Sequence, residues 1–229
     1  MYTAVVKWTI GPWWLLLLLI GCMGSGEDAA TSRTVFAPAA PPNNVVPPQS
    51  DRTFVPGERI GLITAGMSPA QIENLYGSDD FVATQVDAGE GTVEEGYLLF
   101  PDSPDEVVIR LGADKQPARA ILRHEGARWY DPELPGVGVG ASLGELVEAN
   151  GRDFIFRGFG WDYGGTVSDW RGGKLSGMSV RLAYAPERLE AGGLDTLLLG
   201  DVPIRSDDEA VQHLDLRVRE LGIDISKKK

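Results

Sequence analysis

Residues 137–151 read VGVGASLGELVEANG, and within them Gly140-Ala141-Ser142-Leu143-Gly144 satisfies the G-x-S-x-G pattern of a nucleophile elbow. A second stretch bears on whether Ser142 is catalytic. Residues 63–77, ITAGMSPAQIENLYG, align with 137–151 without a gap: Gly66 meets Gly140, Ser68 meets Ser142, Ile72 meets Leu146 and Gly77 meets Gly151. In each copy a serine stands ahead of an apolar helical stripe, with Gln71 or Glu145 three places on. That spacing makes a capping box, in which the serine oxygen and the longer side chain satisfy each other's orphan backbone N–H. Pro69 sits where a helix tolerates a missing N–H, and Gly77 and Gly151 supply the stop. The pattern predicts two short helices of one design, with Ser142 a cap.

The catalytic alternative has some support in chain order, since Ser142 precedes acids such as Asp195 and Asp208 and then His213, as in α/β-hydrolases. It fails on local structure. An elbow needs a buried strand before the serine and a long helix after it. Val137-Gly138-Val139-Gly140 is a poor buried strand, and Gly151 ends the helix after about two turns. His124 and His213 have no metal-ligand spacing, and Asp79-Asp80 and residues 102–106 lack the glycine and periodicity of a calcium loop. No catalytic residue, metal site or cofactor is expected, and the chain is read as a non-enzyme.

Charge excludes another class. With 21 Lys+Arg against 33 Asp+Glu the formal net charge is −12 and no basic stripe compensates, so the chain repels phosphate backbones and no nucleic-acid partner is expected. There is 1 cysteine, Cys22, which rules out an internal disulfide and thiolate zinc clusters.

Cys22 closes an N-terminal address. Residues 1–22 read MYTAVVKWTIGPWWLLLLLIGC, with Lys7 in a short positive region and an apolar run over 8–20. That run is shorter than the roughly 20 residues a spanning helix needs, so residues 1–21 read as a signal peptide. Leu19-Ile20-Gly21-Cys22 resembles the lipobox of bacterial lipoproteins. The resemblance implies cleavage before Cys22, acylation of its sulfur and attachment to the lipid bilayer. Met23 stands where an inner-membrane retention aspartate would be, which favours the outer membrane facing the periplasm, with the cell surface as the other option.

Residues 22–56 are small, polar and rich in proline (Pro38, Pro41, Pro42, Pro47, Pro48, Pro56) and read as a lipid-anchored, disordered tether. From Gly57 apolar runs of β type follow one another: 96–100, 106–111, 119–124, 153–157, 165–170 and 178–184, punctuated by turn residues. A third capped helix is expected at Ser206 with Glu209. The expected fold is α+β: two tandem repeats of a short helix followed by antiparallel strands, about 60–130 and about 131–229, packed as one mostly antiparallel sheet.

Ile63-x-x-Gly66-Met67-Ser68-x-x-Gln71-Ile72-x-x-Leu75-x-Gly77 resembles the helix-opening signature of the BamE/SmpA outer-membrane lipoproteins, and the duplication is similar to the tandem repeats of β-lactamase-inhibitory protein. Asp79 stands where proline is common in the first group, and Ala141 where the first copy has Met67. The resemblance implies an envelope module that binds another protein, in assembly or as an inhibitor, without naming the partner.

The remaining dense stretch is 157–174. Arg157, Phe159, Trp161, Asp162, Tyr163, Trp170 and Arg171 are interleaved there with glycine, the composition of a protein-binding hot spot. A second reading stays open, in which the stretch is a twisted hairpin whose Trp161 and Trp170 pack into the core. The functional expectation is a membrane-anchored envelope lipoprotein whose repeat domain binds an unidentified envelope protein. The alternatives are a lipid-anchored hydrolase of an envelope polymer and a structural lipoprotein with no discrete partner.

Overall fold

The two aligned stretches fold as helices of 8 residues each, α1 (Pro69–Tyr76) and α2 (Leu143–Asn150). Their entrances are built alike. Ser68 accepts from the Gln71 N–H at 3.3 Å while its own N–H donates to Gln71 Oε1 at 2.8 Å; Ser142 accepts from the Glu145 N–H at 3.3 Å and donates to Glu145 Oε2 at 2.7 Å. Gly66 and Gly140, the turn residues ahead of the caps, share a φ of 90°. Replacing Ser142 by alanine removes a cap and costs about 1 kcal/mol of stability, with Ser68→Ala alike. Denaturant titration of each variant measures this, and a change under about 0.3 kcal/mol in both means the caps carry nothing.

This computed structural model describes residues 48–89, 91–185 and 193–225. The signal peptide, Cys22 and tether residues 23–47 lie outside the described residues. The folded part starts earlier than Gly57, which corrects the tether boundary placed at residue 56. Phe54 is fully buried in β1 (Phe54–Val55), which pairs with β2 (Arg59–Ile60) and through it with β3 (Ile63–Thr64). Burial of one large aromatic and pairing of Arg52 with Asp105 hold a segment that its prolines made look like a linker.

After α1 the chain runs as an antiparallel meander, β4 (Phe81–Gly89), β5 (Thr92–Leu99), β6 (Val107–Leu111) and β7 (Pro117–Leu122). After α2 it does something different. β8 (Ile155–Arg157), β9 (Val167–Asp169) and β11 (Pro203–Arg205) form a separate small sheet in the order β11-β8-β9. Only β10 (Met178–Ala183) and β12 (Arg217–Asp224) join the meander, giving a six-stranded sheet ordered β10-β12-β7-β6-β5-β4.

The expected α+β pair of repeats sharing one sheet is therefore wrong. Among the described residues the protein is mostly antiparallel β, in three sheets, with three short helices, α3 (Glu209–Gln212) being the last. The duplication stops at the helices. In the second half the glycine turns at 158–165 and 172–173 leave β8 and β9 only three residues each, and these pair in the small sheet, while the longer β10 and β12 join the large one. The cap of α3 is Asp208, not Ser206, whose buried hydroxyl accepts from the Phe154 N–H at 2.9 Å.

One core joins these parts. The inner face of the large sheet (Leu99, Ile109, Leu122, Leu221, Val180) meets Ile72 and Tyr76 of α1, Leu146 of α2, and Phe154, Phe156 and Ile204 of the small sheet. The opposite face carries a separate strip of Val86, Val108 and Ile121. Ion pairs between neighbouring strands flank that strip, Arg119–Asp224 at 2.8 Å and Arg123–Glu220 at 2.7 Å.

Candidate interaction groove

The glycine-rich stretch after β8 folds back on itself against β10. Gly165 donates to the Arg157 carbonyl at 2.9 Å and its own carbonyl accepts from the Leu182 N–H at 2.8 Å. Its φ is +79°, and a Cβ there would lie 2.0 Å from the Leu182 carbonyl oxygen, so only glycine fits. Phe159 is drawn inward, its ring 5.9 Å from Phe156 and edge-on to Tyr184 at 5.1 Å. Trp161 is held at the surface by its indole N–H, which donates to the Gly158 carbonyl at 2.8 Å, and packs edge-on to Tyr163 at 5.4 Å.

The fold thereby opens two adjoining depressions. One of about 390 Å³ lies between Trp161, Gly164, Arg181 and Tyr184; the other, of about 450 Å³, lies between Arg123, Glu125, Gly140 and Arg217. Ala183, Tyr184 and Arg219 line both, so they form one shallow groove along the ends of β10 and β12. Four arginines face it, an unusual local density for a chain of net charge −12. Arg123 is paired with Glu220, Arg217 with Asp215 at 3.0 Å, and Arg181 donates to the Gly164 carbonyl at 2.9 Å. Arg219 is exposed and has no acidic partner among the described residues. Beside the groove Leu199 is 42% exposed and Tyr163 43%, and Leu197, two residues before Leu199, is 78% exposed, large apolar surface that water does not favour. Leu199 lies against the loop, within 3.3 Å of where a Cβ on Gly160 would be.

The seven residues singled out in 157–174 separate into three groups. Trp161, Asp162 and Tyr163 stand at the surface beside the groove. Phe159 and Trp170 are core residues, the latter 4.9 Å from Phe154 with its indole N–H donating to the Met178 carbonyl at 2.9 Å. Arg157 pairs with Asp201 at 3.1 Å, and Arg171 is bonded to Asp153. Arg181, Tyr184, Leu197, Leu199 and Arg219 were not anticipated. The alternation Arg217-Val218-Arg219 was the available signal, because a strand puts both arginines on one face.

Two other polar places are already satisfied internally. Ser142 donates its hydroxyl to Glu145 Oε2 at 2.8 Å, and hydrogen bonds from the Ser142 N–H and hydroxyl hold the Glu145 carboxyl below its ordinary value. Asp105 is buried under a depression of about 350 Å³ beside Phe100. Its carboxylate accepts from the Arg128 N–H at 2.9 Å and Nε at 3.0 Å, from Arg128 Nη2, and from Arg52 Nε at 2.9 Å. Burial alone would raise its pKa, but the Arg128 and Arg52 bonds prevail and lower it to about 2. The Arg52 guanidinium lies 3.9 Å over the Phe100 ring. This is a latch between distant parts of the chain, with every strong donor already used. His124 stands 3.6 Å from Glu106, and no group of His, Cys, Asp and Glu among the described residues is arranged to hold a metal ion.

No family model, curated protein or solved structure matches the chain.

Proposed function

We propose that the protein is a bacterial envelope lipoprotein, tethered to the outer membrane through acylated Cys22, whose folded domain binds another envelope protein along the β10–β12 groove. The observation that carries the binding half is the conjunction at one place of Trp161, Tyr163, Tyr184 and Leu199 with Arg219, which has no acidic partner among the described residues. Exposed aromatics and arginine around a groove are what interface hot spots are made of, since they bury large area at small entropic cost. The lipobox-like Leu19-Ile20-Gly21-Cys22, the proline-rich segment after it and the resemblance of residues 63–77 to the BamE/SmpA signature support the anchoring half. The groove's arginines favour a partner surface that is apolar with acidic residues at its edge.

A photo-crosslinking amino acid at the exposed Asp162 position, in cells, tests the proposal. One recurring protein adduct is expected, reduced about tenfold or more by Trp161→Ala combined with Arg219→Glu in a chain that still folds. Absence of any recurring adduct, or an adduct indifferent to both substitutions, overturns the groove assignment. Fractionation of Cys22→Ser, expected to leave the membrane and to lose palmitate-analogue label, tests the anchor separately.

A further inference from the structure

The two edges of the large sheet are treated differently. At β10 the edge is closed: the Leu182 N–H donates to Gly165 and Thr166 bridges to Arg181. At the other edge, β4 pairs with β5 alone. The Phe100 N–H donates to the Asp80 carbonyl at 2.8 Å, so Asp80 faces β5, and by antiparallel alternation so do Val82, Thr84 and Val86. The N–H and C=O groups of the odd residues point outward. The first of these N–H groups, that of Phe81, is taken by the Gly77 carbonyl at 3.1 Å. Ala83 and Gln85 are not taken, and none of their outward groups has a partner among the described residues.

This edge also lacks the usual guards. From Phe81 to Val86 it has no proline, no lysine and no other charge. Val82 is 39% exposed beside it. Charge appears only at its ends: Asp79 and Asp80 at one, Asp87 at the other, all exposed and with no cationic partner among the described residues. The acids behind, Glu94 and Glu95 of β5, are occupied by Arg110 at 3.2 Å and Lys115 at 2.9 Å.

We infer that the β4 edge accepts, by strand addition, an extended segment of a partner protein that is uncharged in the middle and carries a basic residue at each end. Ala83 and Gln85 supply four main-chain hydrogen bonds, and the span from Val82 to Asp87 is about 20 Å, enough for a strand of ordinary length. The aspartates at the two ends select the charge. A second copy of the chain fits less well. Two-fold pairing centred on Thr84 brings Asp87 of one copy toward Asp79 and Asp80 of the other, on molecules of net charge −12. The β4 site shares no residue with the β10–β12 groove, so either can fail without the other.

The test uses the full chain in nonionic detergent micelles and two labelled peptides of alternating threonine and valine, one with lysine at both ends and one with glutamate. Binding is read by fluorescence anisotropy and the edge itself by backbone amide exchange. The lysine peptide is expected to bind about tenfold or more tightly than the glutamate peptide and to slow exchange at the Ala83 and Gln85 amides. Gln85→Pro removes one outward donor at an edge position that tolerates proline, and weakens binding about tenfold. Asp80→Lys with Asp87→Lys keeps the outward donors of Ala83 and Gln85, losing only the bond from the Gly89 N–H to Asp87 Oδ1, and reverses the preference between the peptides, which decides the matter should the proline variant misfold. Equal binding of the two peptides overturns the inference, as does unchanged exchange at both amides. So does protection of those amides in the peptide-free chain together with concentration-dependent dimerisation, which would make the occupant a second copy.

Discussion

Asp105→Ala lowers the unfolding free energy by about 3–5 kcal/mol at neutral pH. The carboxylate is 2% exposed and takes bonds from two arginines that approach from opposite directions in sequence, Arg52 and Arg128. Its removal leaves the Arg52 guanidinium, whose side chain is only 14% exposed against Phe100 and Trp129, with no carboxylate and only the Gln49 and Asp51 carbonyls to accept from it. Arg128 is 74% exposed and swings into solvent, so Arg128→Ala has the smaller effect, and the Asp105→Ala value falls toward the lower end of its range.

The effect depends on pH in a definite sense. The Asp105 carboxyl has its pKa lowered from 3.8 to about 2 in the folded chain. The unfolded state therefore takes up its proton first as pH falls. The stabilisation that follows, about 2 kcal/mol, is fully present above about pH 4 and is lost as pH falls through about 2. Denaturant titrations of wild type and Asp105→Ala from pH 7 to pH 2 should show a constant difference that shrinks only below about pH 4. A difference that stays flat to pH 2 contradicts the latch.

Asn150→Ala, at the last residue of α2, is expected to cost about 2–4 kcal/mol. Asn150 is 2% exposed and its amide is a three-way tie. Nδ2 donates to the Trp170 carbonyl at 3.1 Å and to the Arg152 carbonyl at 3.0 Å, and Oδ1 accepts from the Leu175 N–H at 3.2 Å. Gly173 is shaped around it, for a Cβ there would fall 2.0 Å from Asn150 Oδ1. Alanine leaves these buried backbone groups without partners and a void where the amide sat. Asn150→Asp keeps the shape and the acceptor but loses the donor and buries a charge, so it should be at least as damaging. The near-ultraviolet circular dichroism of Trp170, whose loop the amide anchors, reports the local loss alongside the denaturant midpoint. A cost below about 1 kcal/mol for alanine removes Asn150 from the fold's main supports.

Local chemistry was legible and long-range pairing was not. The six apolar runs from 96 to 184 all contain strands, because a bounded β-branched run has few other ways to bury itself. β4 and β12 were missed: FVATQVDAG shows no clean alternation and RVRELGID alternates only over its first three residues, and their β character comes from neighbours on the sheet. The open edge at Ala83 and Gln85 could not be read in advance, since being an edge is a property of strand order. The groove was legible by half. Trp161 and Tyr163 stood out by composition, whereas Arg181 and Arg219 come from strands that meet only in the folded sheet, with Tyr184 just past the end of one of them.

What the sequence determined alone is whatever a few neighbouring residues decide among themselves. Ser68 with Gln71 and Ser142 with Glu145 close their capping boxes within one turn, so the capping role of Ser142 in Gly140-Ala141-Ser142-Leu143-Gly144 could be read before any fold was known. The tertiary structure decided what becomes of two like helices. The strands after α1 pair in succession, and those after α2 are divided between two sheets, the three-residue β8 and β9 beside the glycine turns in the small one and the longer β10 and β12 in the large one. It also decided that Arg52, in a proline-rich segment, belongs to the domain, because Asp105 and Phe100 wait for it 53 and 48 residues further on. Capping energies act over a single turn, while sheet order and buried ion pairs depend on which distant segments can exclude water together, and no local pattern encodes that choice.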